Sequence, residues 1–347
     1  MHKIYFSQNN KTVRCKMGEW STVYGPVPSW RLGFSLGIDP LKPPKTCTFD
    51  CIYCQLGKTV KKVSKPEDVY PHVSTRKILK DLEKTLKKVD LKNVDYLTFS
   101  GTGEPTLNPN LGEVVDEVKR LINDKPIAIL TNSSLLDRET VRRSLKKMDL
   151  VVAKLDAPNQ KLFKKINRPS NGITLTSIIK GLKSLRKEYS GRLAIQIMFV
   201  KSTMGEKLNT EKEVVEGLTR IIEKVSPDEV YINIPTRPPS ENHVTIPENQ
   251  EIEKISKMFG ERLNWIKVVS RMATSKTWKK MEKKVLEDLE KRIMETLKRR
   301  PCNLKDLTEI FGVPEKTLSL HLNSLVEKGK ILALKYQGLT YYKLANL

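Results

Sequence analysis

The sequence predicts an α/β fold: a partial (β/α)6 barrel with parallel strands, followed by a small C-terminal winged-helix domain. Three observations carry this expectation. From about residue 95, short apolar segments alternate with stretches whose apolar residues recur at helical spacing. The apolar segments are nearly uniform rather than alternating, as strands of a covered parallel sheet are. After about residue 285 the pattern changes to three helices and a hairpin.

LGFSLGID (32–39) is the first expected strand and VDYLTFSG (94–101) the second, followed by a helix over LGEVVDEVKRLIND (111–124). PIAILTNSS (126–134) and DLVVAKLDA (149–157) are the third and fourth strands, with a helix over 139–148 between them. A helix over 173–189, the strand RLAIQIMFVK (192–201), a helix around 211–225 and the strand DEVYINIP (228–235) complete six repeats. Each strand faces a parallel neighbour across a helical crossover, so the sheet should curve and partly close. Such barrels build their sites at the C-terminal strand ends. Here those ends carry SGTGEP, TNSS, LDAP, KSTMG and IPTRPP.

The expected boundaries are a core over 1–270 with an N-terminal lead, a basic linker over 271–284, and the winged helix-turn-helix over 285–347. In the last unit one helix should be closed by Gly312 and the next by Gly329, and the hairpin should turn at Gln337-Gly338.

With 347 residues and a formal net charge of +23, the chain is expected to meet a polyanion, most plausibly nucleic acid. A lysine-rich solvated surface is the plain alternative. No apolar run reaches the roughly 18 residues of a membrane span, and the first residues lack the apolar middle of a secretory signal, so a cytoplasmic protein is expected.

Five cysteines are too few for a disulfide scaffold in a chain of this length. Three of them, Cys47, Cys51 and Cys54, form a C-x3-C-x2-C pattern within PKTCTFDCIYCQLGKT, whereas Cys15 and Cys302 stand apart. Thiolates suit zinc or iron–sulfur clusters. A structural zinc site takes four ligands, and no fourth Cys or His lies close in sequence. A cubane cluster held by three cysteines keeps one iron for a substrate.

This pattern resembles that of the radical S-adenosylmethionine superfamily, including the aromatic residue just before the third cysteine, here Tyr53. The resemblance implies a 4Fe-4S cluster on Cys47, Cys51 and Cys54 and S-adenosyl-L-methionine as cofactor. It also implies reductive cleavage of that cofactor to methionine and a 5′-deoxyadenosyl radical. Over residues 30–240 further positions correspond. Gly101, Thr102, Gly103 and Glu104 match the glycine-rich motif near the methionine amino group, although Ser100 replaces its first glycine and Thr102 is an addition. Asn132, Lys154 and Asp156 match strand-end positions that contact the cofactor's carboxylate or ribose. Gln196, polar inside an apolar strand, is a further candidate contact. Each has a plainer reading as a cap, a turn or an ion pair.

KLDAPNQKLFKKINRP (154–169) and SLGIDPLKPPKTC are similar to segments of the group containing the tRNA wyosine-base synthases and related iron–sulfur oxidoreductases. That similarity implies an RNA substrate, tRNA in particular, and a reducing partner such as flavodoxin or ferredoxin. Lys164, Lys165 and Arg168 would then border the site mouth. No second cysteine triad, which those synthases use for an additional cluster, accompanies the first. The expected recognition helix, PEKTLSLHLNSLVEKG, has two Lys and two Glu, so RNA or protein docking is expected of it before DNA reading. Two other classes stay open: a radical enzyme acting on a protein or small molecule, and an iron–sulfur sensor with a DNA-binding winged helix.

Overall fold

The computed structural model describes residues 20–270 and 289–345. The basic linker expected over 271–284, the N-terminal lead and Cys15 lie outside the described residues.

The first two strands, β1 (Val23–Ser29) and β2 (Gly33–Ile38), pair antiparallel. Next come two short strands around the cysteine loop, β3 (Thr46–Cys47) and β4 (Lys61–Lys62), which pair with each other. Helix α1 (Thr75–Leu86), capped by Ser74, leads to β5 (Tyr96–Phe99). The repeats continue with α2 (Leu111–Leu121), β6 (Ile127–Thr131), α3 (Glu139–Leu145) and β7 (Leu150–Lys154). Two helices, α4 (Gln160–Asn167) and α5 (Leu175–Glu188), separate β7 from β8 (Arg192–Met198). A short β9 (Lys201–Ser202), α6 (Lys212–Val225), β10 (Glu229–Asn233), β11 (Val244–Thr245), α7 (Asn249–Arg262) and β12 (Lys267–Ser270) end this part.

The main sheet runs β1-β2-β5-β6-β7-β8-β10-β12, parallel from β2 onward. The six expected strands therefore stand side by side in chain order. An antiparallel β1 flanks one edge and a seventh parallel strand, β12, the other. Period-two alternation sorts the strand residues. Ile127, Ile129, Val151, Ala153, Ile195 and Ile197 belong to the large core shared with the helices. Their neighbours Ala128, Leu150, Val152, Ala194 and Tyr231 form a smaller core with Leu32 and Trp30. Every helix that joins these strands packs on the first face, so the sheet is wrapped from one side, as in a barrel. Among the described residues the other face is lined by its own side chains, with no second helical layer of the kind full two-sided cover would require.

The C-terminal unit contains α8 (Leu289–Leu297), β13 (Cys302–Asn303), α9 (Leu304–Phe311), α10 (Glu315–Glu327) and the hairpin β14 (Ile331–Tyr336) and β15 (Leu339–Leu344). Asn303 and Asp306 make a capping box for α9, and Gly312 ends it in the left-handed conformation at φ 65°. Gln337 and Gly338 both have positive φ, 49° and 75°, the turn that lets two right-twisted strands pair tightly. Its core of Leu297, Leu307, Leu318 and Leu322 also takes in Tyr24 and Val27 from β1. No described helix is long and apolar enough to cross a membrane.

Candidate active site

The cysteine loop is held at the C-terminal strand ends from two sides. On one side it meets the segment after β5. A Cβ on Gly103 would lie 1.7 Å from the Thr46 carbonyl oxygen, so only glycine permits this approach. The backbones lock there: Thr46 N donates to Thr102 O at 3.2 Å and Glu104 N to Thr46 O at 3.2 Å. Gly101 likewise lies against the Asp39 carboxylate, where a Cβ would sit 2.1 Å from the carboxyl carbon. Thr102 donates its N–H to the same carboxylate at 3.1 Å. Gly103 thus docks the strand end onto the cysteine loop, and Gly101 docks it onto the segment after β2.

Glu104 is 2% exposed and its carboxylate is well supplied. Oε1 accepts from Thr106 Oγ1 at 2.7 Å, Thr131 Oγ1 at 2.6 Å and Thr106 N at 3.2 Å, while Oε2 accepts from Asn132 N at 2.7 Å. Burial pushes its carboxyl up, and these bonds oppose the shift. Asn132 donates Nδ2 to Thr48 Oγ1 at 2.7 Å and to Cys47 Sγ at 3.5 Å, and its Oδ1 accepts from Ser134 N at 3.0 Å.

On the other side the loop meets the end of α4. Asp50 N donates to Asn167 O, Ile52 N to Ile166 O and Ser170 N to Thr48 O, each at 2.8–3.0 Å. Asn167 donates Nδ2 to Asp156 Oδ2 at 2.7 Å, to Tyr53 Oη at 3.1 Å and to Cys51 Sγ at 3.4 Å. Tyr53 donates its hydroxyl to Asp156, and Lys154 Nζ reaches Tyr53 Oη at 2.9 Å while lying 4.3 Å from the ring centre. Burial and the Asp156 carboxylate push the Tyr53 phenol well up, so it stays a donor. Met198 N completes the Asp156 set at 2.8 Å. Gln196 is buried on β8, in register with Lys154 on β7 and Tyr231 on β10, and its side chain has no described hydrogen bond.

Tyr53, Lys154, Asp156 and Gln196 are thus brought together, while Gly101, Thr102, Gly103, Glu104 and Asn132 form the opposite wall. Asn167, Asp39, Thr46, Thr48 and Lys45 are additions that sequence reasoning missed. Asn167 had one signal, a polar residue at the buried end of an apolar helical face. Lys45 is buried, donates Nζ to Gly57 O at 2.6 Å, and faces Cys54 and Cys47.

The donor set fits a 4Fe-4S cluster. Cys47, Cys51 and Cys54 are free, half-buried and share one loop. Among the described residues no three His, Cys, Asp or Glu side chains converge on a point that could hold one metal ion. Thiolates serving three different irons need no such convergence. As a thiol, Cys47 is pushed up to about 12 by burial, with Glu104 and Cys51 adding to the shift, so iron must displace its proton. Cys302 is fully buried in the winged-helix core and belongs to a different cluster of side chains.

Fold and site together define a radical S-adenosylmethionine enzyme. The family described as the radical SAM superfamily matches residues 41–212, and the one described as "Bacterial regulatory protein, arsR family" matches 291–330. Radical SAM enzymes use a 4Fe-4S cluster and S-adenosyl-L-methionine, and they require a reductant. The chain belongs to the UPF0026 family: it is 34% identical over 321 residues to a UPF0026 protein of Methanocaldococcus jannaschii, covering 92% of this chain and 94% of that protein. A UPF0026 protein of Synechocystis is 39% identical over 216 residues, covering 62% of this chain and 76% of the other. Among solved structures, a radical SAM methyltransferase from Sphaerobacter thermophilus aligns with a TM-score of 0.50 at 13% identity, over 68% of this chain and 65% of that one. That likeness speaks for the fold alone. The two relatives above are UPF0026 proteins, so membership in the wyosine-synthase group stays a resemblance.

Proposed function

We propose that the substrate of this radical enzyme is RNA, and tRNA in particular. The observation that carries the reading is the stretch in and around the cysteine loop, where Lys42, Lys58, Lys62 and Lys65 are exposed and Tyr70, five residues after the last of them, is 82% exposed. Ammonium groups neutralise phosphates, and an exposed aromatic ring offers a stacking surface for an unpaired base. The net charge of +23 and the similarity of 154–169 to tRNA-modifying enzymes support the same class.

In this reading Cys47, Cys51 and Cys54 hold the cluster, and Tyr53, Lys154, Asp156 and Gln196 form the wall that receives S-adenosylmethionine. Gly101, Thr102, Gly103, Glu104 and Asn132 form the facing wall. The cluster and cofactor together supply a carbon radical when reduced. The protein's own residues orient the partners and exclude water. Lys154 suits a carboxylate or ribose oxygen; the Tyr53–Asp156–Asn167 set fixes the loop beneath it. An acidic flavodoxin or ferredoxin suits the same lysine-rich rim as electron donor.

The test is nucleoside mass spectrometry of bulk tRNA from cells with the gene, without it, and carrying Cys51→Ala. One modified nucleoside should vanish in both altered strains. Unchanged tRNA would move the substrate to a protein or small molecule, for which peptide and metabolite profiling of the same strains is the next measurement.

A further inference from the structure

We infer that the winged-helix unit is a working part of the active site, with Arg299 as a positioning residue for the strand-end segment that holds the cysteine loop. Arg299 leaves the C-terminal end of α8 with its side chain 1% exposed. Its Nε donates to Asp39 Oδ2 at 3.1 Å, and its Nη2 donates to Ser21 O at 2.5 Å. Asp39, itself 1% exposed at the side chain, is the group against which Gly101 packs and from which Thr102 N hangs. Thr102 O then receives Thr46 N, one residue before Cys47. An unbroken series of contacts therefore runs from α8 to the first cysteine of the loop. A second link runs in parallel. Tyr24, whose ring lies 4.9 Å from the Arg299 guanidinium and whose side chain belongs to the winged-helix core, meets Ser100 Oγ at 2.8 Å.

The hairpin is engaged as well. Tyr336 and Tyr341 donate their hydroxyls to Pro235 O and Thr236 O, each at 2.9 Å, in the segment after β10. Arg237 returns the contact by donating to Pro301 O at 2.9 Å. Asp39 follows β2 and Pro235 follows β10, so the unit touches strand ends near both limits of the parallel series. A freely tethered nucleic-acid reader has no use for a buried ion pair into the enzyme core. Such a pair costs desolvation on both sides and persists where geometry must be fixed.

The full chain is tested with Arg299→Met, with Asp39→Asn plus Arg299→Met, and with Leu322→Ala as a destabilised winged-helix control that touches no strand end. Arg299→Met alone leaves Asp39 buried and unpaired, whereas in the double variant that charge is gone and Glu295, the other partner of Arg299 at 2.7 Å, keeps Lys298 at 2.6 Å, so the double variant should recover part of the lost thermal stability. Three readouts matter: affinity of the unreduced, cluster-loaded protein for S-adenosylmethionine, the change that S-adenosylmethionine makes in the electron paramagnetic resonance spectrum of the reduced cluster, and hydrogen exchange of peptides covering 36–47 and 98–105. Both Arg299 variants should bind the cofactor about tenfold more weakly, as expected for site coupling of ordinary size. They should also give an altered spectrum and faster exchange in those peptides, while Leu322→Ala should not. Native affinity and spectrum in the double variant would overturn the inference. Equal losses in Leu322→Ala would do so too, by reducing the link to general domain integrity.

Discussion

Two arms hold the cysteine loop, and they use the same chemistry to different ends. In each, a buried carboxylate binds an asparagine whose amide donates to a cysteine sulfur: Glu104, Asn132 and Cys47 on one side, Asp156, Asn167 and Cys51 on the other. The Glu104 arm is finished. Its carboxylate accepts four bonds, and both ends of the Asn132 amide are engaged. The Asp156 arm keeps polar capacity: Asn167 Oδ1 is buried with no partner among the described residues, Lys154 meets the same Tyr53 hydroxyl as Asn167, and Gln196 is the register partner of Lys154. Buried polar atoms without partners are uncommon and need a reason. The difference teaches that the first arm is saturated with internal bonds while the second keeps groups free, and under the proposed function that makes the second the wall that receives the cofactor.

The largest expected effect treats the arms alike. Cys47→Ala and Cys51→Ala should each abolish the cluster after anaerobic reconstitution, as should Cys54→Ala, whereas Cys302→Ala should keep full iron and sulfide. Iron retained in any loop variant would break the symmetry of the two arms.

The next effect separates them. Glu104→Gln places an amide NH2 among donors, and Thr131, Thr106 or Asn132 must lose a buried partner, at a cost of about 2–3 kcal/mol of fold stability. Asp156→Asn is milder, about 1 kcal/mol, because the Tyr53 hydroxyl can turn and accept. Cofactor affinity should show the reverse order, with the Asp156 variant losing more for each unit of stability lost. Chemical denaturation and a binding titration on the same preparations check both halves.

What was legible in the sequence follows the same physical division. The parallel series and the three-cysteine loop were readable because periodicity and spacing are local properties of the chain. The hairpin at Gln337-Gly338 was readable because the turn demands those backbone conformations. By contrast β1, with its mixed residues Val23–Ser29, gives no clear period. Asn167 has an obvious polarity but no sequence mark of its partners Cys51, Tyr53 and Asp156. Asp39 and Arg299 are 260 residues apart, and no local rule joins them. The glycines of SGTGEP point to close backbone approach, but nothing local to the motif shows that Gly101 meets Asp39 and Gly103 meets Thr46.

A smaller effect concerns the cluster's electrons. An N–H donated to a ligating sulfur favours the more negative, reduced cluster, so its loss lowers the reduction potential. Asn167→Leu should lower the midpoint measured by potentiometric titration without S-adenosylmethionine, and Asn132→Leu should lower it as well. Asn167 should also change cofactor affinity, and Asn132 should not. Equal effects of both on affinity would erase the distinction between a finished arm and a receiving one.

The smallest expected effect lies outside both arms, on the basic rim. Lys165 and Arg168, which follow the Asp156 arm, are already paired with Glu206 at 3.3 Å and Glu241 at 2.5 Å, whereas Lys58 and Lys62 on the loop rim have no described ion pair. A paired cation releases little counterion when RNA arrives, because its own carboxylate must first be displaced. An unpaired one replaces condensed counterions on a phosphate directly. Lys58→Ala and Lys62→Ala should therefore each reduce the slope of log affinity against log salt by roughly 0.7 to 0.9 unit for tRNA, and Lys165→Ala by clearly less. Filter-binding titrations at several salt concentrations measure the slope. A larger change for Lys165 than for Lys58 would place the phosphate track over α4 instead of over the cysteine loop.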